Sequence, residues 1–168
     1  MPVSVRPIRI EGNIAYVTLT KGYVAVIDAD DVPLVDGLNW TTRVSPWGVY
    51  AYRKATGGRR NVHLHRVLMG DPDGLQVDHI DGDSLNNRRS NLRVATASQN
   101  SQNTKRRKDN GSGFKGVSFD KARGLWNARI WSKCELKRLG YYRCRTAAAV
   151  AYVKASRELH GEFARMSQ

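Results

Sequence analysis

Nine residues from Lys105 to Gly113, KRRKDNGSG, divide this chain: a basic run passes into small, flexible residues with nothing apolar to bury. One continuous core cannot run through such a segment. Two folded pieces are therefore expected, 1–104 and 114–168, joined by a basic flexible linker at 105–113. The length of 168 residues allows this, and 40% apolar with 8% aromatic residues supplies packed cores rather than a disordered basic tail. No apolar run nears the roughly 20 residues of a membrane span, and the first residues lack the apolar stretch of a signal peptide. A soluble, cytoplasmic protein is expected.

The formal net charge of +13 is unevenly spread. Residues 1–60 contribute +3, residues 61–104 contribute −1, and residues 105–168 contribute +11. This balance argues against an ordinary metabolic enzyme. Basic arms that release counterions favour a polyanionic partner, and tryptophans and tyrosines interleaved with the cations favour nucleic acid. The slightly acidic middle is where a divalent cation can meet a phosphate. Cys134 and Cys144 belong to no CxxC pair and are expected to be free thiols.

Short alternating stretches at 14–19, 23–27 and 49–52 read as strands of a small β-rich platform. Val62 to Met69 reads as a strand running into a short helix. Leu75 to Ile80 reads as a strand that breaks at Asp81-Gly82-Asp83. A loop rich in Asn and Arg then leads to a second strand at 92–95, and Thr96 with Gln99 forms a capping box for a helix over 97–104. After the linker, strands are expected at 116–119, 125–131 and 137–142. A final helix, capped by Thr146, carries Ala148, Tyr152, Ala155 and Leu159 on one face and stops at Gly161. The fold class is α+β.

In the middle, Asp78 and His79 sit on the first strand, Asn91 opens the second, and Asn100 lies a turn into the helix. A hard divalent cation takes oxygen ligands, so Asp78 and Asn100 can hold one and leave positions for water and phosphate. His79 can take a proton from an attacking water near neutral pH if another group fixes its ring, and the Asn91 amide oxygen can do so. Strand alternation puts Asp78 and His79 on opposite faces, so a shared cleft needs the strand to end or twist at the Asp81-Gly82 turn. Asp81-Gly82-Asp83 lacks the glycine and late glutamate of a calcium loop and reads as a turn. His65 reads as packed or phosphate-contacting rather than a ligand.

His65-Arg66, Val77-Asp78-His79-Ile80-Asp81-Gly82-Asp83, Leu85-Asn86-Asn87, Ser90-Asn91-Leu92-Arg93 and Gln99-Asn100 together resemble the HNH endonucleases, specifically the phage and intron-encoded homing enzymes with a ββα-metal fold. The resemblance covers about residues 14–104. It implies a metal-dependent DNA endonuclease with Asp78 and Asn100 as ligands of one divalent ion, Mg²⁺ or Mn²⁺. It makes His79 the general base and Asn91 the residue that orients it. Arg66, Arg93 and the linker cations Lys105, Arg106 and Arg107 are expected on DNA phosphates.

Phe114 to Val117, Trp126 to Ile130, Leu139 to Tyr142 and Thr146 to Tyr152 resemble the APETALA-type (ethylene-response-factor) DNA-binding domain over residues 113–163. A three-stranded antiparallel sheet packed on one helix is implied. Lys115, Arg129, Trp131 and Arg138 are the implied DNA contacts, and Lys133 and Lys137 the implied phosphate contacts. Ser118 and Asp120 stand where that family places first-strand arginines, so base preference does not transfer. Trp126 is open between core and contact. The expected partner is double-stranded DNA, bound by a monomer. A non-enzymatic DNA-binding regulator with a decayed nuclease motif is the alternative, and RNA binding is less favoured because the sheet lacks a paired aromatic platform.

Overall fold

The computed structural model describes residues 5–46, 48–55, 57, 61–104, 109–133 and 135–165, so the expectations for Lys105, Arg106, Arg107 and Cys134 fall outside the described residues. The chain divides into two compact units, Met1–Thr96 and Ala97–Gln168. That division lies ahead of the 105–113 segment. The class is mixed α+β, built from small antiparallel sheets and few helices.

In the first unit, β1 (Ile8–Glu11), β2 (Ile14–Thr18) and β3 (Val24–Asp28) form an antiparallel meander in the order β1-β2-β3. Period-two alternation buries Ala15 and Val17 on β2 and Ala25 and Ile27 on β3. A second three-stranded sheet holds β4 (Thr41–Ser45), β5 (Gly48–Lys54) and β6 (Asn61–His63), and the chain turns directly into α1 (Leu64–Leu68). Trp40, only 1% exposed, fills the centre of this core and satisfies its indole N–H on the Val35 carbonyl at 3.1 Å. Leu64 and Leu68 close the core from α1.

The third sheet is a two-stranded ribbon of β7 (Gln76–His79) and β8 (Leu92–Ala95), in which Asp78 lies opposite Arg93 and His79 opposite Leu92. Val77, Asp78 and His79 are all buried, so both faces of β7 are covered. The loop between the two strands is stitched to the first sheet: Val26 N–H donates to the Leu85 carbonyl at 2.8 Å, and Asn87 N–H to the Val26 carbonyl at 2.7 Å. The platform thus supports the ribbon's loop.

The second unit opens with α2 (Ala97–Gln102), followed by β9 (Val117–Asp120), β10 (Leu125–Ser132), β11 (Glu135–Tyr142) and α3 (Arg145–His160). The sheet is antiparallel in the order β11-β10-β9, with a register shift between Ala128 and Arg129. Alanines at 148 and 149 let α3 lie close on Val117, Ala128 and Ile130, with Tyr152 between. Trp126 packs against this core and meets the Phe119 ring at 5.0 Å, so it belongs to the packed side.

Two details of α3 differ from expectation. Its N-cap is Cys144, not Thr146, which lies inside the first turn. Its buried stripe runs Ala148, Tyr152, Ser156, His160 at a spacing of four, which leaves Leu159 36% exposed. Gly161, at φ 54°, ends the helix as expected. Among the described residues no helix is long and apolar enough to cross a membrane.

Gly116 is required on two counts. It sits at φ +71°, and a Cβ there would lie 2.2 Å from the Tyr152 ring and 2.6 Å from the Arg129 carbonyl. Gly116→Ala is therefore expected to destabilise the second unit by about 1–3 kcal/mol through overpacking, measured as a lower urea midpoint for the Trp126 and Trp131 fluorescence transition.

Candidate active site

The centre of the site is a ring held from several sides. His79 is 6% exposed at the end of β7. The His65 ring meets it edge to face at 5.1 Å and 76°, and Tyr50 from β5 lies at 6.4 Å. His63 stacks behind His65 at 5.4 Å.

Asn87 fixes the remaining degree of freedom. Buried to 1% exposure, it donates through Nδ2 to the Leu85 carbonyl at 2.9 Å and turns Oδ1 toward His79 Nε2 at 3.1 Å. A carbonyl can only accept, so that bond sets the amide's orientation. With an acceptor facing Nε2, the neutral ring carries its proton there and keeps its lone pair on Nδ1. Burial pushes the His79 pKa down, and it stays below the ordinary value although the Asn87 bond and the charges of Asp81, Asp78 and Asp83 push the other way. Burial thus favours the neutral form of the ring.

The expectation placed Asn91 against this ring. The structure gives that position to Asn87 and puts Asn91 on the turn. Asn91 Oδ1 accepts from Asp81 N–H at 3.0 Å, and its Nδ2 donates to Asp81 Oδ1 at 2.9 Å and to the Asn86 carbonyl at 2.7 Å. Asp81 also accepts from Asp83 N–H and Asn86 Nδ2, so Asp81-Gly82-Asp83 is the expected turn, with Gly82 at φ 70°. Asn87 was legible as part of Leu85-Asn86-Asn87, but only the bridge to β3 selects it over its neighbours.

The platform holds the loop by charge as well. Arg88 Nε donates to Asp28 Oδ1 at 2.8 Å, Arg89 N–H to Asp28 Oδ2 at 2.8 Å, and the Arg89 guanidinium to both oxygens of Asp31. Burial raises the Asp28 pKa, but the Arg88 and Arg89 hydrogen bonds and charges outweigh it and hold the carboxyl below the ordinary value.

Asp78 is buried opposite Arg93, whose Nε and Nη2 both donate to Oδ2, at 3.0 and 2.7 Å. The side chains are 7% and 12% exposed, so the pair is desolvated. Arg66 braces the 71–75 loop through Asp71, the Leu75 carbonyl and the Pro72 carbonyl. In the second unit, Asn100 lies on α2, and Lys115 donates to the carbonyls of Gln102 and Thr104 at 2.6 and 2.8 Å. Burial, with Arg165 nearby, pushes the Lys115 ammonium down to about 8. Arg129, Trp131, Lys133, Lys137 and Arg138 are all exposed, Trp131 to 58%. Cross-strand register puts Arg129 opposite Arg138 and Trp131 opposite Leu136, away from the α3 side.

Among the described residues no three His, Cys, Asp or Glu side chains gather as metal ligands. A carboxylate and an amide oxygen are donors that a hard cation takes, while here Asp78 is paired with Arg93 and Asn100 belongs to the second unit.

The site thus holds a buried aspartate next to a buried histidine whose ring is gripped by an asparagine amide. Comparison with known proteins gives the family. Residues 70–102 match the model of a family described as HNH endonuclease. The chain is 32% identical over 162 residues to the "Uncharacterized HNH endonuclease L560" of Acanthamoeba polyphaga mimivirus, covering 90% of this chain and 80% of that protein. It is 38% identical over 109 residues to "Protein 3.8" of Escherichia phage T7, covering 64% of this chain and 88% of that protein. No solved structure matches. The chain belongs to the HNH endonuclease family.

Two measurements test this geometry. In ¹H–¹⁵N spectra of imidazole nitrogens at pH 7, His79 is expected as the Nε2–H tautomer. Asn87→Ala should disturb that signal, whereas Asn91→Ala should leave it and cost about 1–3 kcal/mol of stability by stranding the Asp81 turn. Acidification supplies the second. Burial, then the charges of His79, His63 and Arg66, push His65 down to about 3. Between its unfolded value near 6.5 and about 3, the unfolded chain takes a proton that the native chain refuses. Stability should therefore fall as pH drops through that window, and His65→Phe should flatten the slope in pH-dependent urea melts.

Proposed function

We propose that this chain is a metal-dependent DNA endonuclease of the homing type that nicks double-stranded DNA as a monomer, with its C-terminal unit reading the flanking sequence. The observation that carries the reading is the His79 ring, buried, neutral and fixed by Asn87 beside Asp78. His79 Nδ1 takes the proton from a water that attacks the phosphodiester. Asn87 Oδ1 holds the ring and stabilises the imidazolium as it forms. Asp78 and Asn100 would hold one Mg²⁺ or Mn²⁺, whose chemistry is to stabilise charge on the phosphate and the leaving oxygen. Tyr50 and His65 keep the far side of the ring dry.

The second unit supports DNA reading through chemistry rather than through any bound ligand. Its exposed Arg129, Trp131 and Arg138 lie on the face of a small sheet away from α3, and Arg138 also stacks over Tyr141 at 5.5 Å. Such a face resembles the APETALA-type domain, and arginines on a strand can read guanine edges in a major groove. Lys105, Arg106, Arg107 and Lys133 would add phosphate contacts. The site of action under this reading is the cytoplasm of a phage-infected cell.

The alternative of an inactive DNA-binding regulator is favoured by one observation: Arg93 already neutralises Asp78. A supercoiled-plasmid assay separates the two. Wild type should relax plasmid in Mg²⁺ and stop in EDTA, and His79→Ala should slow nicking by about 10²–10⁴. Relaxation by His79→Ala at the wild-type rate sinks the base assignment, and salt-sensitive binding with no cleavage in any divalent metal selects the regulator. For the reader face, Arg129→Ala and Arg138→Ala should each weaken DNA binding and lower the salt slope by about one where they meet phosphate.

A further inference from the structure

The second unit contains more than a DNA-reading sheet, because α2, with Asn100, is fastened to it. α2 has six residues, Ala97–Gln102. An isolated helix of that length is not stable in water, and its last carbonyls lack partners within the helix. Here the carbonyl of its last residue and those of the next two are taken up by cations of the same unit. Lys115 Nζ donates to Gln102 O at 2.6 Å and to Thr104 O at 2.8 Å, and Arg165 Nη1 donates to Asn103 O at 3.3 Å. Positive charge at a helix C-terminus also complements the helix dipole. α2 packs against the Gly161–Phe163 turn, where Phe163 is 4% exposed.

The anchor of Lys115 is rigid. Ser112, 4% exposed, donates through Oγ to Val117 O at 2.8 Å, and Asn110 Nδ2 donates to Phe114 O at 2.8 Å. The next residue, Gly116, is pressed against Tyr152 of α3. A displacement of Lys115 therefore has to move the sheet-helix core. Lys115 is also half-buried on carbonyl oxygens, a poor position from which to meet a phosphate.

We infer that Lys115 and Arg165 are positioning residues for the nuclease reaction, holding the helix that carries Asn100 to the DNA-reading unit. The inference rests on the role proposed above for Asn100. It replaces Lys115 as a DNA contact.

The test uses the full-length chain with Lys115→Met, which keeps length and removes charge, and Arg165→Gln as a milder second variant. Amide hydrogen exchange over 97–104, DNA affinity against salt in EDTA, and steady-state nicking in Mg²⁺ are measured on each. The expected result is faster exchange at 97–104 with the β9–β11 amides still protected. The DNA dissociation constant, salt slope and KM should be unchanged, and kcat should fall about tenfold or more, as misplacement of a catalytic group does. Unchanged exchange at 97–104 in both variants overturns the clamp, whether or not the wild type cuts. Weaker DNA binding with a salt slope lower by about one and unchanged kcat returns Lys115 to the DNA interface. Faster exchange with unchanged kcat overturns the positioning role. Faster exchange in a wild-type background that never cuts removes the nuclease reading and leaves the clamp standing.

Discussion

The hydrogen bond between His79 Nε2 and Asn87 Oδ1 depends on nearly everything in the first unit. Asn87 holds its place because its backbone N–H donates to the Val26 carbonyl and the Leu85 carbonyl accepts from Val26 N–H. Val26 holds its place because Ala25 and Ile27, the alternate residues of β3, are sealed in the core. Arg88 and Arg89 then fasten the following residues to Asp28 and Asp31. The β-rich platform needs no chemistry of its own. It supplies a rigid edge against which a loop of asparagines becomes a fixed acceptor.

Burial gives that acceptor its effect. In water an amide oxygen would add little to an imidazole that is already solvated, whereas in a dry pocket each hydrogen bond is stronger and each unpaired group more costly. His65 and Tyr50 provide the dry wall, and the price falls on His65, a second imidazole that cannot charge until strongly acid pH. Tyr50, His63 and His65 thus behave as packing beside the His79 ring. The same desolvation makes the Asp78–Arg93 pair close and well aligned, with strand register setting the two side chains opposite each other.

Much of this was readable from local pattern. Alternation located β2, β3, β5 and the strands of the second unit but not β1 or β4, the Val62-to-Met69 stretch resolved into β6 and α1, and Asp81-Gly82-Asp83 is the turn its residues predict. Asp78 and His79 stand out as two adjacent ionisable residues just ahead of the Asp81-Gly82 turn. The choice between Asn87 and Asn91 was not readable. Both are asparagines in one loop, and their roles are assigned by a bridge to β3, some sixty residues upstream, that leaves no mark on the loop's own sequence. Lys115 is similar: the family resemblance offers it as a DNA contact, and its bonds to the Gln102 and Thr104 carbonyls leave no mark on the sequence around it.

By itself the sequence determined the elements, the excess of positive charge toward the C-terminus, and the residue types from which a nuclease centre can be made, because periodicity and composition act over a few neighbouring positions. Tertiary structure alone decided which amide grips the histidine, which cations stay exposed, and which unit α2 joins. Those outcomes depend on hydrogen bonds between residues far apart in the chain, formed only after the cores have closed and excluded water.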